Sequence, residues 1–463
     1  MQNQQTVQKS DGKRDSVVMK HTFGGGTHVK EYKYTSDREI VVMPAPDTLS
    51  VLLSQHIGAP AKPIVSVGDY VRMGQMIADV QSGMGCPVHS PVSGKIAAFG
   101  SMEISAGRQV EFIKIENDKK YEKDSSVTPF GKNPEEADAA EIIEVIRRAG
   151  ISGNGGATFP TYAKIQSAIG KADTVIINGS ECEPFLTADH RMMYELPEKV
   201  VGGAKILLHA VGASKGVIAI EDNKPDAVTA MSIAAAGSGF EVESLATKYP
   251  QGDERQLVYA ITEREIPTGK LPADAGCVIF NVGTCVAVYD AFYSGMPMIS
   301  RVVTVAGDCV RHPSNVLAYI GSSYRDIIEF CGGLTEVPKK LICGGPMMGT
   351  TVSSFDRPLT KGNSGILLFS ERFAGSLGGD ESPCIRCGRC SSACPMRLMT
   401  NLIVSNVKRG LFGDAEKLGI MSCVECGACA YNCPARIPLV QYMRAGKSYI
   451  RSHKTTGGSN STK

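Results

Sequence analysis

Two stretches, C-I-R-C-G-R-C-S-S-A-C-P (384–395) and C-V-E-C-G-A-C-A-Y-N-C-P (423–434), decide how the rest of the chain is read. Each is C-x2-C-x2-C-x3-C-P, the spacing that holds [4Fe–4S] clusters. Three thiolates on one tight loop wrap one face of a cuboidal cluster. The short helix after each loop carries its last Cys away, so each fourth ligand serves the cluster of the other repeat. Cys384, Cys387, Cys390 and Cys433 are therefore assigned to one cluster. Cys423, Cys426, Cys429 and Cys394 take the second. Gly388 and Gly427 let backbone N–H groups approach the sulfurs, and Pro395 and Pro434 turn the chain away. Two zinc sites would use four Cys each, but zinc motifs rarely place three Cys at two-residue gaps before x3-C-P. The residues between the repeats, 398–420, read as a helical connector.

The whole chain has 463 residues, which suggests about three domains. It is 43% hydrophobic and 21% charged, as ordinary globular proteins are. A net charge of +2 and the absence of Trp offer neither an electrostatic footprint nor a stacking platform for nucleic acid. No apolar run is long enough to span a bilayer. The polar start, M-Q-N-Q-Q-T-V-Q-K-S, lacks the apolar segment of a signal peptide. Fifteen cysteines less the eight ligands leave Cys86, Cys182, Cys277, Cys285, Cys309, Cys331 and Cys343, which repeat no ligand spacing and read as reduced, mostly buried cytosolic thiols. Residues 1–20 and 447–463 read as disordered tails.

Residues 21–28, H-T-F-G-G-G-T-H, allow a backbone path closed to other residues, and His21 and His28 read as loop histidines. Residues 40–117 look all-β: the apolar runs 40–43, 65–67, 77–80, 94–98 and 112–115 alternate with Pro/Gly turns. V-S-V-G-D-Y-V-R-M-G-Q-M-I-A-D-V followed by H-S-P-V-S-G-K-I resembles the half-motifs of the biotinyl/lipoyl barrel-sandwich. Where a carrier of that type has its modified Lys, this chain has Gln81-Ser82-Gly83-Met84-Gly85-Cys86. A swinging-arm role is thereby disfavoured, and a structural or docking role is expected.

Residues 133–149 read as a helix capped by Asn133 and ended by Gly150. The Gly-rich loop G-N-G-G-A-T-F-P-T-Y-A-K (153–164), with Pro160 opening a helix, suits an anion or nucleotide but matches neither G-x-G-x-x-G nor a P-loop. The run 174–177 reads as a buried strand, and N-G-S-E-C-E-P leaves its end, where α/β folds bind ligands. Glu181 and Glu183 there are either solvated loop charges or carboxylates desolvated against a partner. Y-P-Q-G-D-E-R (249–255) and N-V-G-T (281–284) each open a further helix.

These four segments together resemble the flavin and NADH fold of the NADH-binding subunit of respiratory complex I. The resemblance implies FMN contacts at Gly153, Gly155, Lys164, Asn178, Glu181, Asp253, Glu254, Asn281 and Thr284, and NADH contacts at Phe159 and Glu183. Two departures stand out: eight cluster Cys in ferredoxin form, and Ser180 where that fold is often acidic. Over about residues 20–445 the chain resembles the C-subunit family of the Rnf complex, an ion-translocating ferredoxin:NAD+ oxidoreductase. T-F-G-G-G-T-H, G-N-G-G-A-T-F-P-T, E-C-E-P-F-L-T-A-D-H-R-M-M, C-G-G-P-M-M-G and both cluster repeats carry that likeness, in order.

The implied architecture is multidomain α/β plus β. It has a barrel-sandwich domain (21–130), a Rossmann-like FMN/NADH α/β domain (131–296) and a β-grasp (SLBB-like) module (297–350). A return segment or linker (351–375) and a ferredoxin-like helical two-[4Fe–4S] domain (376–446) follow. The implied function is electron transfer between the clusters and NAD(H) through FMN. The implied seat is peripheral, on the cytoplasmic face of the bacterial inner membrane, held by the iron–sulfur B subunit and membrane subunits, with ferredoxin an indirect partner. NAD(H) exchanges two electrons as hydride and a cluster exchanges one, so a flavin between them is the expected converter, and no general acid or base is expected. Arg386, Arg389, Arg397, Lys408, Arg409 and Arg436 either dock an acidic iron–sulfur partner or are ordinary solvated charges. A cobalamin reductase shares the flavin, β-grasp and cluster parts but fits the N-terminal motifs less well. A non-catalytic relay module is disfavoured by the presence of Lys164, Asn178, Glu183 and Glu254.

Overall fold

The computed structural model describes residues 21–457 apart from 106, 378 and 379. The expected tails at 1–20 and 458–463 lie outside the described residues. Residues 447–457, expected as tail, instead finish the helix Leu439–Gly457. That helix buries Met443 and Ile450 against the cluster domain, and its Lys447 donates to the Cys423 carbonyl at 2.9 Å.

The barrel-sandwich is two small antiparallel sheets, one of Thr48–Leu52, Arg108–Asn117, Gly94–Ser105 and Tyr70–Val71, the other of Lys62–Pro63, Met76–Asp79 and Val88–His89. Alternation builds its core over 113–116: Ile113 and Ile115 are buried, Lys114 is half-buried and Glu116 faces solvent. Two expectations fail here. Residues 65–67 form a turn region, with Lys62–Pro63 taking the strand before it. The run at 40–43 leaves this domain altogether, because Ile40–Val42 pairs in parallel with Ser314–Tyr319.

The helix expected from Asn133 begins later. Asn133 caps only a single 3-10 turn, Pro134–Glu136. Asp138 and Glu141 then form a reciprocal capping box that starts Ala139–Arg148.

The α/β domain is built on a four-stranded, fully parallel sheet in the order Phe240–Leu245, Lys215–Glu221, Thr174–Asn178, Cys277–Asn281. Both faces are covered, as near-continuous apolar strands require. Val175, Ile177, Ile218 and Ile220 pack with the helices Pro197–Val211 and Val282–Tyr293. Ile176, Ala219 and Ile279 pack on the opposite side with Leu257 and Val258 of the helix Glu254–Thr262. The chain runs outward from Thr174–Asn178 in one direction and returns to its other side with Cys277–Asn281. The order therefore reverses between those two strands, whose carboxyl ends open one crevice.

A mixed six-stranded sheet follows: Ile40–Val42, Ser314–Tyr319, Ser300–Ala306, Gly365–Phe369, Lys340–Cys343, Thr350–Val352. The helix Tyr324–Phe330 packs on it through Tyr324 and Ile327. Residues 351–375 are not a linker: Gly365–Phe369 is fully buried and lies between two partner strands. The cluster domain gathers Ile403, Val404, Ile420, Leu439 and Met443 around the helices Thr400–Lys408, Phe412–Lys417 and Leu439–Gly457. Among the described residues, no helix is long and apolar enough to cross a membrane.

Candidate functional site

Asn178 and Asn281 end the two strands that flank the reversal and stand in register. Asn178 donates to the Gly252 carbonyl at 2.9 Å and accepts from the Ser180 amide at 3.1 Å. Asn281 caps the following helix by accepting from Gly283 N at 2.8 Å, and its amide donates to Asp189 at 2.6 Å. The Gly-rich loop closes over them: Gly153 N donates to the Phe159 carbonyl at 2.9 Å, and Asn154 N to the buried Thr284 hydroxyl at 3.1 Å. Gly155 is exposed, and a methyl there would come no nearer than 3.6 Å to Asn281. Phe159 is half-buried at the end of the loop.

The remaining expected contacts have definite partners. Lys164 donates to Glu254 at 2.6 Å and to the Ile279 carbonyl at 3.0 Å. Asp253 caps the helix Glu254–Thr262, accepting from Arg255 N at 3.1 Å, and burial raises its carboxyl above the usual range. Glu181 accepts from the amides of Asp189 and His190, at 2.8 and 3.1 Å, at the start of the helix Ala188–Glu195. Glu183 accepts from the amides of Met347 and Met348, at 2.9 and 2.8 Å, in the C-G-G-P-M-M-G loop. Burial pushes Glu183 up to about 7. The structure thus brings Gly153, Gly155, Asn178, Asn281 and Thr284 to one crevice, with the Lys164–Glu254 pair beside it. It turns the Glu181 and Glu183 carboxylates toward backbone amides.

Several residues here escape sequence reasoning. Burial pushes Asp189 up to about 7, the nearby Glu181 adding to the effect. Lys33 donates to the carbonyls of Glu181, Glu183 and Leu186 at 2.7, 3.0 and 2.6 Å, and desolvation lowers its ammonium. Buried Arg301, from the mixed sheet, donates to the Asn154 carbonyl at 3.4 Å, and burial lowers it to about 10. Asp189 falls within the E-C-E-P-F-L-T-A-D motif. Lys33 and Arg301 carry no local signal.

Buried polar atoms without partners test the fit of a flavin. Asn154 Oδ1, Ser180 Oγ, and both Oε1 and Nε2 of Gln251 are buried and make no hydrogen bond within the chain. Such atoms are costly unless something else bonds them. They come from three of the segments expected to enclose FMN, so the donor and acceptor set suits a polar cofactor.

The cysteines form two groups. Cys384, Cys387, Cys390 and Cys433 line one cavity of about 150 Å³, floored by Ile437 and Leu439. Cys384 and Cys387 are exposed. The second group is Cys394, Cys423, Cys426 and Cys429, of which all but half-buried Cys423 are buried. Burial raises these thiols, Cys426 to about 12, and the charges of Cys394 and Cys423 raise Cys426 and Cys429 further. With these thiols held protonated by burial, a cationic iron–sulfur core would be what draws the protons off and binds the four sulfurs. Among the described residues, no group of three or more His, Cys, Asp or Glu side chains is placed to hold one metal ion.

The two repeats share a local geometry. Arg386 and Glu425 both have φ near 57° and turn their amides to the sulfurs of Cys384 and Cys423, each at 3.4 Å. Gly388 and Gly427 are left-handed at the start of the short helices Arg389–Ser392 and Ala428–Tyr431. Arg386, Arg389, Arg397, Arg409 and Arg436 are exposed, and Lys408 pairs with Glu381.

Comparisons with known proteins agree with this arrangement. Residues 21–120 match the RnfC barrel sandwich hybrid domain, 146–290 the Nuo51 FMN-binding domain, 302–351 the SLBB domain and 377–434 the 4Fe-4S dicluster domain. The C subunit of the proton-translocating ferredoxin:NAD(+) oxidoreductase complex of Clostridium ljungdahlii is 43% identical over 443 residues, covering 95% of each chain. Its counterpart in the Na(+)-translocating complex of Acetobacterium woodii is 42% identical over 444 residues, covering 95% of this chain and 99% of the relative. The C subunit of the ion-translocating oxidoreductase complex of Rhodobacter capsulatus is 40% identical over 437 residues, covering 93% and 83%. Among solved structures, a chain of an NAD+-reducing [NiFe]-hydrogenase shares the fold at a TM-score of 0.50 and 18% identity, over 72% of this chain and 69% of that one.

Proposed function

The chain belongs to the family of C subunits of ion-translocating ferredoxin:NAD+ oxidoreductase (Rnf) complexes, and from that premise we propose that it exchanges electrons with NAD(H) through FMN and two [4Fe–4S] clusters. Ion translocation belongs to the complex. Bound FMN would supply the conversion between two-electron and one-electron transfer. Gly153, Gly155, Asn178, Asn281 and Thr284 would hold it at the crevice, with Lys164, Asp253 and Glu254 at its side. Phe159 would offer a face to the nicotinamide nucleotide. Glu181 and Glu183 act on this reading through the segments they tie down, the start of the helix Ala188–Glu195 and the loop 343–349.

One observation carries the reading. The segment Tyr249–Glu254 reaches the crevice at one end, through Glu254 and Lys164, and the buried cysteine group at the other, where the Tyr249 hydroxyl donates to the Cys426 carbonyl at 2.6 Å. The path therefore runs from crevice to inner cluster to outer cluster, and the outer one faces solvent beside Arg386, Arg389 and Ile385, which is 69% exposed. That face would meet the partner subunits of the complex at the membrane surface.

Anaerobic titration of the reconstituted protein with NADH, followed by optical and EPR spectroscopy, tests this. Flavin bleaching with reduction of the clusters, or reduction of the clusters by a stronger donor after flavin bleaching alone, is the expected result. Protein that holds FMN and both clusters yet shows no flavin response to NADH would refute it.

A further inference from the structure

The three-glycine segment near the start of the chain lies against the inner cluster domain and the flavin-side loop at once. Gly26 N donates to the Ala393 carbonyl at 3.0 Å. Thr27 and Tyr249 exchange backbone hydrogen bonds at 2.8 and 2.9 Å. Lys248 donates to the Phe23 carbonyl at 2.8 Å and stands 4.7 Å from that ring's centre. The Arg397 side chain lies along Gly24. Phe23 and Tyr249 are 4% and 1% exposed, so the joint has two buried rings, with Gly24 exposed and Gly25–Thr27 half-buried beside them.

The glycines are required by closeness as well as by conformation. Gly25 has φ +76°, and a Cβ there would lie 2.5 Å from the carbonyl oxygen of Cys394 and 3.2 Å from Cα of Pro395. Those are backbone atoms of an inner-cluster ligand and its neighbour, which cannot swing aside. Next to it, Tyr249 bonds the Cys426 carbonyl, and the Met347 carbonyl sits 3.0 Å from where a Cβ on Gly427 would be. Both peptide segments that bring ligands to the inner cluster are thus gripped from outside the cluster domain. The outer group has no such cover at Cys384 and Cys387.

We propose that Phe23–Thr27 and Tyr249 form a clamp that positions the inner cluster against the flavin crevice and shields it from solvent. The clamp rests on the proposed cluster assignment. A cofactor site holds its geometry when the segments that carry its ligands are themselves locked by packing and hydrogen bonds. Solvent exposure is one of the protein's levers on a cluster's potential, while the clamp's hydrogen bonds, to the carbonyls of Ala393 and Cys426, fix the peptides that carry the ligands. Gly25 and Tyr249 are positioning residues, since neither touches the reacting nucleotide.

The test uses the full chain, loaded with FMN, iron and sulfide, and a potentiometric EPR titration. Cys423→Ala identifies the inner-cluster signal by its loss. Gly131→Ala controls for left-handed strain, because Gly131 has φ +86° with nothing within 4 Å of an added methyl. Expected results are an inner-cluster midpoint shifted in Tyr249→Phe and an inner-cluster signal lost or broadened in Gly25→Ala. The outer signal should persist in both, and Gly131→Ala should match wild type. If Gly25→Ala does not accumulate folded, Tyr249→Phe decides alone. Inner-cluster midpoints and line shapes equal to wild type in Tyr249→Phe and in any folded Gly25→Ala would overturn the clamp. A wild-type protein that cannot hold two clusters would instead overturn the assignment beneath it.

Discussion

Lys164 and Glu254 form an ion pair of 2.6 Å between the helix after the Gly-rich loop and the helix after the Y-P-Q-G-D-E segment. The pair is only partly buried, so its own contribution to stability is small. The Lys164 ammonium is held between Glu254 and the Ile279 carbonyl, two residues before Asn281 at the strand end. Lys164→Ala should weaken FMN binding about tenfold to a hundredfold, since a charged hydrogen bond is worth ~1.5–3 kcal/mol. Iron content should not change. Equilibrium dialysis of FMN, with iron assayed in the same samples, checks this, and unaltered FMN affinity would remove Lys164 from the site.

Cys394 stands with Cys423, Cys426 and Cys429 although it belongs to the other repeat. Cys394→Ala should therefore abolish the inner cluster and spare the outer one, and Cys433→Ala should do the reverse. EPR of the two variants, against Cys387→Ala and Cys426→Ala as references, distinguishes this from ligation within each repeat. In that case Cys394→Ala would resemble Cys387→Ala.

Glu183 gives a pH dependence with a definite sign. Burial raises its folded pKa from the ordinary 4.5 to about 7, and the Met347 and Met348 amides offset only part of the cost. Below the ordinary value the group is neutral in both folded and unfolded chains. As pH climbs from there to 7 the unfolded chain ionises freely while the folded chain holds a buried carboxyl, and stability is lost across that window. Between pH 5 and 8, Glu183→Gln should gain on wild type by up to ~3 kcal/mol. Thermal midpoints of both proteins at several pH values check it, and parallel curves would refute it.

Arg386 and Arg389 are exposed beside the outer cysteines. If this face receives the partner subunits, Arg386→Glu with Arg389→Glu should slow electron delivery within the assembled complex by about tenfold at low salt. The deficit should shrink as salt screens the surface charges. NADH reduction of the flavin in the isolated protein should not change. Equal rates for wild type and variant at low salt would leave these arginines as ordinary solvated charges.

Local spacing made the cysteine groups and the strand ends readable. A ligand loop or a strand-to-helix turn is written within a dozen residues, and Asn178, Asn281 and both cysteine repeats stand in such segments. Side chains arriving from distant segments were not readable. Lys33 and Arg301 reach site carbonyls across domain borders, and nothing around them in the chain marks that role. Gln251 and Asn154 sit inside the recognised motifs, and only burial without a partner singles them out. The apolar run at 40–43 showed that a strand forms there, but period alone does not say which sheet it joins.

That strand bears on how the protein can be cut. Ile40–Val42 is an edge of the mixed sheet, lying against Ser314–Tyr319 from the far side of two intervening domains in the sequence. A fragment excised at 297–375 would leave the outer side of Ser314–Tyr319 bare, an unpaired edge that invites aggregation. The module is continuous in space but spliced in sequence. Modular swapping between relatives would have to carry residues 40–42 along with it.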